Sequence, residues 1–375
     1  MNYNRRYRFL FVGWRILGLE TAFKNLRDAV TRMEDIEATW LAIDTMPEDF
    51  ISRIPLIANN HSLKIGLIAR SKIGALEKSG KVFDAAYFNH ILPALFVRGF
   101  RQRVPCFDSL DVTPLSLARE GQAYYSKPRK RGNRLTRELR RRYARSVYCQ
   151  AAYLLPWSDY TKRSLLDDYQ IPEKKIRTWF PGTSLRIWQG RSAENTPSTK
   201  EQLDVLFVGG DFKRKGGDLL LRIARREEFR NCRFHFVTRN FMGQCLANTF
   251  VHTNVQANSE ELIRLYRQAD IFVLPTRADF APTNSICEAM AMGLPVVATR
   301  VGGLEEIVVD GHTGFVVPVD HIDLLGERIR TLAGNVHLRK QLGENARRLV
   351  EMKYDSEKNA KIIVDLMKAA AKRQV

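Results

Sequence analysis

No run among the 375 residues reaches the roughly 18 to 20 consecutive apolar side chains that a membrane span requires. The opening MNYNRRYRFLFVGW is too short in its apolar part for a secretory leader and has no small-residue cleavage pattern after it, so a cytoplasmic protein is expected. Cysteine is sparse: Cys106, Cys149, Cys232, Cys245 and Cys287 are odd in number and never in C-x-x-C spacing, which speaks against a disulfide framework and against a zinc site. There is no D-x-D triplet, no internal repeat of some 20 to 50 residues, and no zinc-finger, RRM or helix-turn-helix pattern. Acidic side chains are the minority. Against 60 Lys and Arg stand 41 Asp and Glu, leaving a net charge of +19.

That excess is concentrated. KPRKRGNRLTRELRRRYAR, residues 127–145, holds ten Lys or Arg against Glu138 alone, a local charge of +9, more than solubility requires. Phosphates are the natural partners of such a run. Arg134, Arg137, Arg141 and Arg145 recur at helical steps, with Leu135, Leu139 and Tyr143 spaced for an apolar side, so a basic amphipathic helix docking on an anionic membrane is expected.

Elsewhere short apolar runs alternate with helical periodicity, the pattern of parallel sheets covered by helices. RFLFVG, ATWLAI, DAAYF, VPCF, AYLLPW and IRTWF are the strand candidates of the first half. DVLFVG, RFHFVT, IFVLPT, LPVVAT and GFVVPV are those of the second. The polar GRSAENTPSTKEQ, residues 190–202, reads as a linker. The expectation is thus two doubly wound α/β domains, 1–189 and 203–352, facing a central cleft, with a final helix over 353–375 packing back on the first domain.

In VLFVGGDFKRKGGDLLLRIA, Gly209 and Gly210 end a strand, Lys213, Arg214 and Lys215 fill a turn, and Gly216 and Gly217 precede a helix. Glycines admit a ligand to the backbone, a helix start presents N–H groups, and the cations would neutralise phosphate. The turn is neither a G-x-G-x-x-G fingerprint nor a Walker A loop. DFAPTNSICEAMAMG supplies a second strand end, with Thr283 or Asn284 as helix cap, Ser285 behind it, and Glu288 in the first turn or two, exposed toward the cleft. LPVVATRVGGLEEIV repeats strand, Gly302-Gly303, helix. Three strand ends with one carboxylate and one cationic turn suit a nucleotide carrying a sugar.

These residues, FVGGDFKRKGG, LYRQADIFVLPT and above all EAMAMGLPVVATRVGGLEEIVVDGHTGFVVP, resemble the nucleotide-sugar-binding half of the retaining GT4-type glycosyltransferases of GT-B fold. The resemblance covers about 150 residues of the second domain strongly and fades toward the N-terminus. It implies that Glu288 holds the nucleotide ribose as the second glutamate of an E-x7-E motif, and that Lys215 contacts the donor diphosphate. Gly302, Gly303 and Glu306 fall on the donor side. Two departures are visible. Gly210 stands where an arginine is expected, so Lys213 or Arg214 would share the phosphate. Phe280 stands where the first acidic residue is expected, so that either Asp279 reaches the sugar across one extra loop residue or the sugar contact has been rebuilt.

In the first domain, FDAAYFNHILP ends in Asn89-His90, and VPCFDSLDVTP in Asp108 through Thr113, both toward the cleft. The resemblance implies a polar residue touching the transferred sugar, Asp108 by position, with His90 and Asp111 as rivals and Thr113 on the acceptor side. Gly13 or Gly18 is the candidate for approach to the donor phosphate. The expected activity is transfer of a sugar, with retention, from a nucleotide-sugar donor to a glycan or lipid-linked acceptor at the inner membrane face, without metal or other cofactor and without nucleic acid. A nucleotide-sugar epimerase or hydrolase on the same fold is the alternative, and a basic nucleic-acid-binding protein a remoter one.

Overall fold

The computed structural model describes residues 6–15, 17–44, 60–124, 134–190 and 202–373. Most of the linker, 191–201, and part of the basic run, 125–133, lie outside the described residues. The chain forms two compact units. One comprises Met1–Ser116, Lys130–Pro181 and Ser356–Val375, the other Leu117–Arg129 and Gly182–Asp355. Residues Gly182 to Gln189, which the sequence reading assigned to the first domain, cluster with the second.

In the first unit a parallel sheet runs β2-β1-β3-β4-β5, from β1 (Tyr7–Trp14), β2 (Ile36–Ile43), β3 (Ala85–Phe88), β4 (Cys106–Leu110) and β5 (Tyr153–Pro156). Successive side chains of a strand point to opposite faces, and β1 shows it. Leu10 and Val12 enter a core with Ile65, Ile68, Phe88 and Phe100, whereas Phe9 and Phe11 enter another with Leu26, Tyr87, Phe107 and Trp179. That second core is completed by Ala360, Ile363, Val364 and Met367 of the helix Ser356–Lys372, which packs on the helix Leu17–Val30. Ion pairs Arg32–Glu357 (2.7 Å) and Lys368–Asp35 (2.6 Å) flank it, and Trp179 Nε1 donates to the Asn359 carbonyl (2.9 Å). IRTWF is not a strand of this sheet. It runs beside β5 through two main-chain bonds, Arg177 N–H to Leu154 and Trp179 N–H to Pro156, and then turns away.

The second unit holds a parallel sheet of order β11-β10-β9-β6-β7-β8: β6 (Leu203–Val208), β7 (Cys232–Val237), β8 (Thr249–His252), β9 (Ile271–Leu274), β10 (Val296–Thr299) and β11 (Gly314–Val317). β6, β9 and β10 are adjacent and buried along nearly their whole length, so the loops leaving their carboxyl ends are brought together. β8 is the strand the sequence reading did not anticipate: TFVH is four residues long, sits at the sheet edge and leaves Phe250 exposed.

Candidate active site

The turn after β6 closes on itself. Lys215, Gly216 and Gly217 donate their amides to the carbonyls of Asp211 (2.9 Å), Lys213 (3.1 Å) and Phe212 (2.8 Å). The start of helix Gly217–Ala224 therefore does not offer these three N–H groups to a ligand, contrary to expectation. Two glycines allow the neighbouring loops to touch it. Gly216 has φ +79°, and a Cβ there would lie 2.0 Å from the Pro275 carbonyl oxygen; Gly302 has φ +55°, with its Cβ 2.0 Å from the Asp279 carbonyl oxygen. Main-chain bonds Arg277 N–H to Arg214 (2.8 Å) and Gly303 N–H to Phe280 (3.1 Å) lock the three loops.

At this junction the Lys215 ammonium lies 2.8 Å from each oxygen of Asp279, and Arg214 Nη1 lies 3.5 Å from Oδ1. Burial pushes the Lys215 ammonium below its ordinary value while Asp279 works against that shift. Lys213 and Gly210 are exposed, and Gly209 packs on the Lys215 stem. Arg277, which sequence reasoning missed, braces the whole: its guanidinium grips Asp218 through two bonds (2.7 and 2.9 Å), Asp320 (2.7 Å) and the Lys213 carbonyl (2.5 Å).

Glu288 belongs to the helix Asn284–Ala291, capped by Thr283, whose side chain accepts from Ile286 N–H; Asn284 and Ser285 open the first turn. The carboxylate is not exposed as expected but is 4% accessible. Helical periodicity turns the fifth residue of this helix toward helix Glu260–Gln268, where Tyr266 Oη lies 3.0 Å from Glu288 Oε2. Burial pushes the Glu288 carboxyl up to about 7, and the bond from Tyr266 pulls the other way. Gly302-Gly303 leads only to a 3-10 turn, Leu304–Glu306, instead of the expected α-helix, and the Glu306 carbonyl accepts from Tyr354 Oη (3.2 Å).

The first unit corrects two assignments. Asp108 is fully buried in a bidentate pair with Arg101 (2.9 and 2.7 Å), because β4 runs two residues past Asp108 and places it mid-strand. Burial opposes the Arg101 charge, yet Asp108 holds it above its ordinary value. Thr113 is likewise internal, bonded to Ser164 Oγ (2.7 Å) and Ser116. Neither is open to a ligand. His90 stands at the end of β3, with Nε2 3.9 Å from Asp111 Oδ1 and Nδ1 accepting from Leu92 N–H (3.2 Å), so Nε2 carries the proton. Burial pushes its imidazole down to about 4, leaving it a neutral donor. Gly13 is required by packing, since a Cβ there would lie 2.4 Å from the Phe23 ring, while Gly18 is exposed in the helix Leu17–Val30.

The basic run forms a helix, Arg134–Cys149. Ala144, Val147 and Tyr148 face inward, whereas Leu135 (67%), Leu139 (57%) and Tyr143 (45%) are exposed. Arg141 and Arg145 hold the helix down through the carbonyls of Asp168 (3.1 Å) and Tyr169 (2.9 Å), Arg137, Arg140 and Arg142 are exposed beside the apolar row, and the side chain of Arg134 lies outside what the structure describes. No cluster of three His, Cys, Asp or Glu suited to a metal occurs among the described residues, and none of their helices is long and apolar enough to cross a membrane.

Residues 190–349 match the family of glycosyl transferases group 1. An uncharacterized glycosyltransferase of Methanocaldococcus jannaschii is 32% identical over 149 residues, 38% of this chain and 41% of that protein, so the chain spans about two-fifths of that curated relative. Sucrose-phosphate synthase from Thermosynechococcus elongatus has the same fold, with a TM-score of 0.77 at 17% identity over 97% of this chain and 99% of that one. The Anabaena protein HepE, solved in complex with UDP-glucose, gives 0.67 at 14% identity over 96% and 99%. The match over residues 190–349, on a chain of GT-B fold, supports a group 1 glycosyltransferase.

Proposed function

We propose that the chain transfers a sugar from a nucleoside-diphosphate donor to a hydroxyl of a glycan or lipid-linked acceptor, with retention of anomeric configuration as in the GT4 enzymes it resembles. The observation that carries this reading is the junction of the β6, β9 and β10 loops, where Lys215, Arg214 and Asp279 meet beside the helix of Glu288. Lys215 and Arg214 take the donor diphosphate, with exposed Lys213 adding charge. Glu288 takes the ribose hydroxyls through Oε1, which makes no hydrogen bond among the described residues. Asp279, held at the same junction, is the group for a sugar hydroxyl.

The main contribution to catalysis on this scheme is electrostatic: negative charge grows on the departing diphosphate, and a fixed ammonium at a largely buried position opposes it more strongly than water would. The diphosphate itself then accepts the proton of the attacking hydroxyl, and no metal or cofactor is required. His90, neutral with its Nε2 proton available, is the first unit's polar group for the acceptor side, together with Asp111. The test is turnover of a nucleotide-sugar panel, UDP-glucose first because HepE is solved with it. Donor consumption only when an acceptor is added, with the product in the donor's anomeric configuration, supports transfer. Equal consumption without acceptor would make the protein a hydrolase or epimerase.

A membrane location for the acceptor is supported by the helix Arg134–Cys149. Its exposed Leu135, Leu139 and Tyr143, flanked by Arg137, Arg140 and Arg142, suit contact with an anionic bilayer at the inner face of the cell membrane. Flotation with acidic and neutral vesicles checks it: salt-sensitive recovery on acidic vesicles, lost in a Leu135→Ser, Leu139→Ser variant, is the expected outcome, and equal recovery on both removes the membrane.

A further inference from the structure

Tyr266 is enclosed on every side. Its ring meets Trp188 edge-on at 5.1 Å and stacks on Phe272 at 5.7 Å, and both Tyr266 and Trp188 are fully buried. Its hydroxyl therefore has a fixed position, 3.0 Å from the Ser285 carbonyl oxygen and 3.0 Å from Glu288 Oε2. A phenol has one hydrogen to give, and a carbonyl oxygen can only accept. Two ionised or neutral acceptors cannot both be served by it. When Tyr266 donates to Ser285, the Glu288 carboxyl must itself be protonated and donate to Tyr266 Oη. When Glu288 is ionised, Tyr266 must donate to it and leave the Ser285 carbonyl, in the first turn of the Glu288 helix, without that bond.

We infer that the Glu288 carboxyl, enclosed and offered one phenol that it must share with the Ser285 carbonyl, holds a proton in the ligand-free protein, that binding of a vicinal diol expels that proton, and that Tyr266 is the positioning residue that sets the pH at which it leaves. The inference rests on the reading of Glu288 as the ribose-binding carboxylate. Two sugar hydroxyls bring the donors that the protein does not supply, so the carboxylate becomes the favoured form once they arrive. The balance is simple: one O–H bond of the Glu288 carboxyl breaks, its proton leaves to solvent, and the sugar O–H groups donate to the resulting carboxylate. The upward push of burial on Glu288, to about 7, and on Tyr266 agrees with this arrangement. The groups acting on this carboxyl are Tyr266 from helix Glu260–Gln268 and, on its own helix, Cys287, also buried and held protonated by burial; Trp188 and Phe272 bring no charge, and Arg347 reaches Trp188 and Ala291 carbonyls instead. Donor affinity should accordingly depend on pH through one group, and Tyr266 sets where.

Carbon-13 spectra of glutamate-labelled full-length protein, assigned with Glu288→Gln, test this without relying on turnover. In ligand-free wild type the Glu288 resonance should titrate near neutrality, and saturating UDP, GDP or ADP, whichever binds, should lower that midpoint by about one pH unit or more. Tyr266→Phe should raise the ligand-free midpoint and weaken nucleotide binding about tenfold or more near pH 6 but much less near pH 8.5, whereas a purely structural loss would weaken it equally at both. A ligand-free midpoint in the ordinary carboxylate range overturns the inference, as does a bound nucleotide that leaves the midpoint unmoved. If none of the three nucleotides binds while the ligand-free midpoint stays near neutral, the ribose reading fails and the coupling with it, but the Tyr266 proton arrangement stands.

Discussion

The Lys215 ammonium sits 2.8 Å from both oxygens of Asp279, bridging the turn after β6 and the loop after β9. Neither residue is open enough to exchange its partner for water freely, since each side chain is about one-eighth exposed. An anionic ligand arriving here meets a cation whose geometry is already set and whose counter-ion can turn to another partner.

Replacing Lys215 with Ala should lower kcat about a hundredfold and raise KM as well, because its ammonium meets the bound diphosphate and the charge it opposes grows further toward the transition state. Asp279→Asn separates the roles of the pair. It should bind a nucleoside diphosphate at least as tightly as wild type, having lost the competing carboxylate, yet transfer sugar more slowly. Steady-state kinetics and calorimetry on the two variants check this. Weaker diphosphate binding in Asp279→Asn would contradict it.

The Asp108–Arg101 pair makes the opposite prediction. Asp108→Ala leaves a guanidinium buried without its carboxylate and should cost about 3 to 5 kcal/mol of stability. Nucleotide affinity of the folded protein should stay unchanged. Denaturant titration together with a binding isotherm measures both. Loss of affinity at preserved stability would restore Asp108 to the site.

His90 carries an acid-sensitive part of the first unit's stability. Its imidazole is pushed from about 6.5 to about 4 by burial, so the unfolded chain takes up a proton first as pH falls. The stabilisation is complete above about pH 6.5 and is lost progressively toward pH 4, a change on the order of 3 kcal/mol. His90→Gln should flatten this portion of the stability curve, measured by denaturant melts from pH 4 to 7. An unchanged curve would mean that His90 is solvated.

Most of both sheets was legible because buried parallel strands are short apolar runs between glycines and polar turns. β8 was not, since TFVH is four residues long at a sheet edge and only its first residue is buried. IRTWF has strand composition but only two main-chain bonds to β5 before it leaves the sheet. Within the site, Lys215 and Glu288 could be singled out from their turns and helix. Their partners could not. Tyr266 is 22 residues before Glu288, and periodicity alone does not tell which neighbour a helix face meets. Arg277 looked like an ordinary loop cation, although it binds two carboxylates and a carbonyl. Asp108 was misplaced because VPCF ends at Phe107, whereas β4 runs on to Leu110 and buries Asp108 mid-strand. The basic helix was legible as amphipathic, but its packed side, Ala144, Val147 and Tyr148, was not, because alternating Leu and Arg does not tell which row meets the sheet.

Whether the second unit binds a nucleotide sugar is decided most directly by thermal denaturation of the wild-type chain with UDP-, GDP- and ADP-linked sugars, each beside Lys215→Ala. A ligand at about a hundred times its Kd adds roughly 2.7 kcal/mol to the stability of a folded binder. At least one donor should raise the wild-type Tm by a few degrees, and Lys215→Ala should lose most of that rise. No shift with any of the donors, or an equal shift in wild type and Lys215→Ala, would contradict a donor site at the Lys215–Asp279 junction.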